Sequence, residues 1–200
     1  MVRRLTVAVA GAALLLAGCS TEPAPQAAGN GAATASEAPA SGVDASLAAY
    51  DLDGRPAKDV IDELDRLPVA ERPADLMASV RVDQLVVSTG QEEAALELPE
   101  DQFYLSVAPF VDQTHECFYH SLTTCKGELG GKDVEVTIVD DAGEVLVDEQ
   151  TTTYDNGFVG FWLPRDIDGT LTVSYDGKVG EVDFSTREDS PTCVTTLQLA

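Results

Sequence analysis

Apolar positions along the chain change period near its middle, and that change divides it. In "DGRPAKDVIDELDRLP", residues 53 to 68, Val60, Ile61, Leu64 and Leu67 recur at the spacing of one helical face. Pro56 suits a first helical turn and Pro68 ends the run. A second short helix is predicted over "RPADLMASV", residues 72 to 80. Asp62, Glu63 and Asp65 read as the solvated face of the first helix. The period then becomes two. "VRVDQLVVS", "AALELP" and "FYLSVAPFV" read as strands, with "STGQEE" a turn between the first pair. From residue 133 the strand pattern continues through "DVEVTIV", "EVLVDEQ", "GFVGFWLP", "TLTVSY", "KVGEVDF" and "CVTTLQL". The intervening "DDAG", "YDNG", "DIDG" and "YDG" supply residues that tolerate φ > 0 in tight turns. These elements predict an α+β chain that is mainly β: an N-terminal helical segment followed by an antiparallel β-sandwich-like domain. Phe158, Phe161 and Trp162 fall where core or inter-sheet packing is expected.

The N-terminus has another pattern. "MVRR" is a basic stretch, followed by fourteen apolar or small residues, "LTVAVAGAALLLAG". Such a run suits a signal peptide and is short against the roughly 20 residues that span a bilayer. It closes as "LAGC", which resembles the lipobox of bacterial lipoproteins, with Cys19 the lipidated first residue of the mature chain. Residues 19 to 46, rich in Ala, Pro, Gly and Ser, have no apolar periodicity and are expected to form a disordered tether. The expected division is thus 1–18 signal peptide, 19–46 lipid-anchored tether, 47–100 helical/β segment and 101–200 β-rich domain. Attachment is predicted on the extracytoplasmic side of the cell membrane, in the periplasm or cell envelope, through the lipid anchor only.

Charge narrows the partners. The chain has 12 Lys and Arg against 35 Asp and Glu; without Arg3 and Arg4 the mature balance is 10 minus 35, or −25. So acidic a chain has no basic surface for nucleic acid or anionic lipid headgroups. It is compatible with cations.

The chemistry concentrates in "HECFYHSLTTC", residues 115 to 125, which holds both histidines and two of the four cysteines. Lipidation of Cys19 leaves three thiols, Cys117, Cys125 and Cys193, an odd number for an exported protein. Cys117 and Cys125 can close a disulfide across a short loop, contributing about 2–3 kcal/mol on the chain-entropy account. The competing reading is a metal site, because thiolates select Cu(I) and imidazole suits copper in both common oxidation states. His115 and Cys117, two apart, share a side on a strand; His120 joins them only if the chain bends at "HSLTTC". Cys193 reaches them only through the fold. The Cys-x7-Cys spacing is looser than the hooks of structural zinc. No Cys-x-x-Cys supports a thiol oxidoreductase, no Gly-x-Ser-x-Gly supports a hydrolase, and the acidic turns lack the spaced oxygens of a calcium loop.

"FYLSVAPFVDQTHECFYHSLTTCKGEL", residues 103 to 129, resembles the CueP family of bacterial periplasmic copper-binding proteins, most strongly over "ECFYHSLTTC" and more loosely through to "TCVTTLQL". The resemblance implies that Cys117, Cys125 and Cys193 bind copper; the softness of three thiolates leads us to expect Cu(I), with His115 or His120 as an auxiliary ligand or entry point. It implies copper resistance and supply to a Cu,Zn superoxide dismutase as roles, and it allows thiol-dependent reduction of Cu(II). The protein is then a metal-binding protein or metallochaperone before it is an enzyme. The lipobox and tether depart from a freely diffusing periplasmic protein. The alternative is a cell-surface β-sandwich interaction module stabilised by a Cys117–Cys125 disulfide and independent of metal.

Overall fold

The structure, a computed structural model, describes residues 42–90 and 92–200. The expected signal peptide, the lipidation position Cys19 and residues 20–41 of the expected tether lie outside them. A short helix, α1 (Gly42–Ala48), opens the described chain and buries Val43 and Leu47. Residues 42–46, expected as part of the tether, are therefore helical. The main helix, α2 (Ala57–Arg66), follows Pro56 and ends before Pro68, burying Val60, Ile61 and Leu64 as its spacing predicts. It also buries Asp65, which corrects the reading of that residue as solvated.

The second predicted helix does not form. After Pro73 the chain enters a strand, β1 (Met77–Val80), whose alternating burial fits a period of two. Its partner is β2 (Gln84–Thr89), so "VRVDQLVVS" is the turn and second arm of a hairpin, not one strand. Leu76, Met77 and Ala78 are good helix formers, but intrinsic propensity is a weak determinant, and cross-strand pairing with burial of Ala78 and Val80 overrides it. A third strand, β3 (Glu92–Glu97), completes this antiparallel sheet.

The remaining strands are β4 (Gln102–Val107), β5 (Asp133–Asp140), β6 (Val145–Thr152), β7 (Val159–Pro164), β8 (Asp168–Tyr175), β9 (Lys178–Ser185) and β10 (Cys193–Val194). They form a three-stranded sheet ordered β10-β4-β7 and a four-stranded antiparallel sheet ordered β6-β5-β8-β9. Phe103, Leu105 and Val107 of β4 and Phe161 and Leu163 of β7 pack against Val134, Val136, Ile138, Leu171 and Val173 of the larger sheet, forming the sandwich core. β4 is buried on both faces. Its other side presents Tyr104, which with Leu122 joins α1, α2 and the first sheet in a second core. The helical segment thus packs on the back of the sandwich. This also explains the continuous apolar run of "FYLSV", the signature of a strand covered on both sides.

Turn chemistry follows expectation at "YDG", where Asp176 and Gly177 both have positive φ. It departs from expectation at "DIDG". There Asp166 carries the positive φ, at 61°, while Gly169 lies in β8, where a side chain would strike the Val139 carbonyl. A second close approach occurs at Gly160 of β7, where a Cβ would stand 1.8 Å from the Tyr104 hydroxyl. The phenol of Tyr104 crosses the space that any side chain at 160 would fill. Gly160→Ala is accordingly expected to destabilise the protein by about 1–3 kcal/mol, read as a lowered urea midpoint at unchanged m-value; an unmoved midpoint would contradict this packing.

Candidate metal centre

The stretch 113–125 is irregular, yet it is pinned at many points. Glu128 accepts backbone N–H groups from Val111 at 2.7 Å, Asp112 at 3.0 Å and Gln113 at 3.3 Å, fixing the approach to His115. These donors lower the Glu128 pKa, Val111 foremost. Thr114 donates its hydroxyl to the Thr195 carbonyl at 2.5 Å. Further along, the Phe118 carbonyl accepts from both Thr192 and Cys193 N–H. His120 N–H donates to Thr192 Oγ1 at 3.0 Å, and that hydroxyl donates to the Val80 carbonyl at 2.8 Å. Val80 N–H in turn donates to the His120 carbonyl. Residues 118–122 therefore run as an added strip between β1 and the segment entering β10. At Ser121 the chain turns, as "HSLTTC" required, and Cys125 N–H closes the turn on the Ser121 carbonyl. Arg72 donates to the Cys125 carbonyl at 2.7 Å. Gly127 packs backbone to backbone against Gly157, whose φ is +82°, bringing the Asn156–Phe158 turn beside the thiols.

The fold gathers all five residues singled out in the sequence. Cys117, Cys125 and Cys193 are free thiols. Cys117 and Cys125 Sγ are 3.6 Å apart. β10 lies parallel to β4, which places Cys193 beside the loop with its Sγ 3.8 Å from His120 Nδ1. Among the described residues the donor atoms form two trios, His115–Cys117–Cys125 and His120–Cys125–Cys193, each with all donors within 4.8 Å of one another. Cys125 belongs to both. Phe158 packs against the two imidazoles, with ring centres 4.5 Å from His120 and 6.3 Å from His115. One cleft, lined by His115, Thr124, Cys125 and Glu128, reaches the cluster from outside. Another, lined by Cys117, Cys193 and the carboxylates Asp141, Asp168 and Asp183, approaches from the sandwich side. Two thiols with an imidazole are a soft donor set, suited to Cu(I).

The sequence reading missed Asp65. This carboxylate is 0% exposed and accepts from His120 Nε2 at 2.9 Å, Tyr104 hydroxyl at 2.6 Å and Asn156 Nδ2 at 2.9 Å. Three donors around one carboxylate favour its ionised form. Donation from Nε2–H leaves Nδ1 of His120 facing Cys193. A carboxylate behind the imidazole is how metal-binding histidines are commonly oriented. The signal was present in the helix period, because Asp65 follows Ile61 by four residues and so lies on the apolar face.

The charges follow from these contacts. Burial disfavours ionisation of Asp65, but the His120 charge and the three donors override it and hold its pKa below the usual carboxylate range. Burial likewise opposes a charged His120, and the Asp65 carboxylate outweighs it, raising the imidazole to about 9. Cys125 is pushed down by hydrogen bonds from the Cys117 and Cys193 thiols, against its burial, with His120 assisting. Cys117 is pushed up to about 11 by its bond to Cys125, and Cys193 is raised by both thiols and then by burial. The three thiols thus titrate as one coupled set, in which Cys125 is the sulfur most favoured as thiolate.

Fold and site together define a β-sandwich carrying a partly buried thiol–imidazole cluster whose donor chemistry suits a soft metal. The family profile described as periplasmic copper-binding protein CueP matches residues 59–198, and the chain belongs to that family. A crystal structure of S.CueP is similar at 41% identity with a TM-score of 0.76, covering 82% of this chain and 100% of that one. Comparison with curated proteins gave no match. No helix among the described residues is long and apolar enough to cross a membrane.

The ion pair has a measurable consequence in the copper-free, reduced protein. Because His120 is raised from 6.5 to about 9 on folding, its contribution to stability is full below pH 6.5 and is lost as pH rises through about 9. Asp65→Asn removes the largest influence raising the imidazole and leaves desolvation against the smaller pull of Cys125, so the His120 midpoint is expected to fall well below about 9. An NMR titration of the His120 ring protons checks this; equal midpoints in both proteins would refute the pairing.

Proposed function

We propose that the protein captures copper through Cys117, Cys125, Cys193 and the two histidines and holds it as Cu(I). The observation that carries this reading is the convergence of three thiols and both imidazoles, from positions up to 78 residues apart, on shared donor trios. The acidic chain favours approach of a cation, with a mature net charge of 10 minus 35. Copper resistance and delivery to a Cu,Zn superoxide dismutase are the roles proposed for the captured metal. Lipid attachment at Cys19 would hold the domain at the extracytoplasmic face of the membrane, on a tether of roughly 30 Å reach.

The 3.6 Å approach of the Cys117 and Cys125 sulfurs supports a redox step as well. Two Cu(II) ions each accept one electron, the two thiols form a disulfide, and two protons leave. The resulting disulfide must be reopened by an external dithiol before those sulfurs bind again. The same approach is what a purely structural staple would use, and copper distinguishes the two: a staple does not compete with metal.

The test is anaerobic competition for Cu(I) between the reduced protein and a chromophoric chelator. Tight, stoichiometric binding is expected in the wild type and none when all three cysteines are replaced by serine. Affinity should weaken as pH falls, because the thiolate ligands must shed protons. Unchanged stoichiometry in the triple variant would end the proposal.

A further inference from the structure

The two donor trios differ in access, and they share one sulfur. His115 is solvent-accessible and lines the outer cleft with Cys125, and Cys117 is half-buried. His120 is 0% exposed and Cys193 3%. Metal–thiolate bonds of about 2.3 Å to a trigonal ion put donors about 4 Å apart, so spacings within 4.8 Å suit each trio with little movement. The supports differ too. His120 is locked by Asp65 behind it and Phe158 against its face. The His115 ring meets Phe158 only at 6.3 Å, edge-on. Cys125 sits between the trios with its backbone fixed: Arg72 holds its carbonyl, and Ser121 N–H donates to its Sγ at 3.4 Å.

We infer that the cluster contains two overlapping copper positions that share Cys125: an outer loading position formed by His115, Cys117 and Cys125, and an inner retaining position formed by Cys125, His120 and Cys193. This rests on the copper-binding reading above. Copper(I) loads outside and moves inward without release, because Cys125 stays bound throughout. Cys117 and His115 let go as Cys193 and His120 engage. One proton leaves the Cys193 thiol and one returns to the Cys117 thiolate; a proton on His120 Nδ1 passes to solvent. No electron is transferred. His115 and His120 therefore have different tasks, one kinetic and one in retention.

The experiment uses the reduced full chain under anaerobic conditions. Cu(I) is supplied as its acetonitrile complex, and a chromophoric chelator is used in stopped flow to follow loading and release. Cys193→Ser, a near-isosteric change, is expected to bind one Cu(I) still, at the outer position, and to release it at least several-fold faster than wild type. His115→Ala is expected to slow loading more than it speeds release, and His120→Ala to do the reverse. Cys125→Ser, which removes the shared sulfur, should lose both positions. Failure of Cys193→Ser to bind while the wild type binds would show one indivisible site and overturn the two-position inference, leaving the copper reading intact. Wild-type loading by His115→Ala would overturn it equally. Absence of Cu(I) uptake by wild type would refute the copper reading itself.

Discussion

A carboxylate removed from water holds this molecule together at its functional end. Taking a charge out of water is among the costliest steps in folding, and it is tolerated only when the partner charge and the remaining lone pairs are satisfied. Asp65 meets that condition with donors from three separate places: His120 in the loop, Tyr104 on β4 and Asn156 in the turn before β7. Each contact constrains its own element. Tyr104 can reach only because position 160 has no side chain. Asn156 also bonds the Asp65 carbonyl and the Phe158 N–H, and its carbonyl accepts from Gly127, two residues past Cys125. One helical residue thereby sets the relative placement of α2, the central sheet and both ends of the thiol loop.

This explains why an irregular segment can serve as a metal centre. Sites on loops are ordinarily less exact than sites on helices or strands. Here the loop is fixed through its backbone to β1 and to the segment entering β10, and its histidine is fixed through its ring to α2. Cys193, by contrast, is placed by ordinary strand pairing with Ser106 of β4. The outer end is more accessible: Phe118, beside Cys117, is 49% exposed. The arrangement pairs a rigid interior with an accessible rim.

The helix α2, the strands from β4 onward and the thiols and imidazoles that cluster were legible in the sequence because each depends on local pattern or residue chemistry. The place of Asp65 on the apolar face was legible from its spacing to Ile61, but its role was not, because its partners lie 39, 55 and 91 positions away. The strand at 77–80 was misread because its sheet partner β2, not its composition, decides its conformation. Gly169 was assigned to a turn for its residue type, whereas a close backbone approach is what requires it. The convergence of Cys193 with the loop was expected on the copper reading, and the parallel placement of β10 beside β4 brings it about.

The sharing of Cys125 also ties the proposed redox step to the proposed binding step. Cys117, 3.6 Å away, is a sulfur with which Cys125 can form a disulfide, and forming one removes two donors from the outer trio and one from the inner. What remains inside is Cys193 and His120, still oriented by Asp65, a two-donor remnant that holds a soft ion less tightly than three donors would. Oxidation and retention of copper therefore oppose each other at a single atom. On this chemistry, a reduced Cu(I) ion is best held by a molecule that did not supply its electron, or by the same molecule after an external dithiol has reopened the bond. Capture would then depend on the thiol supply outside the membrane as much as on copper itself.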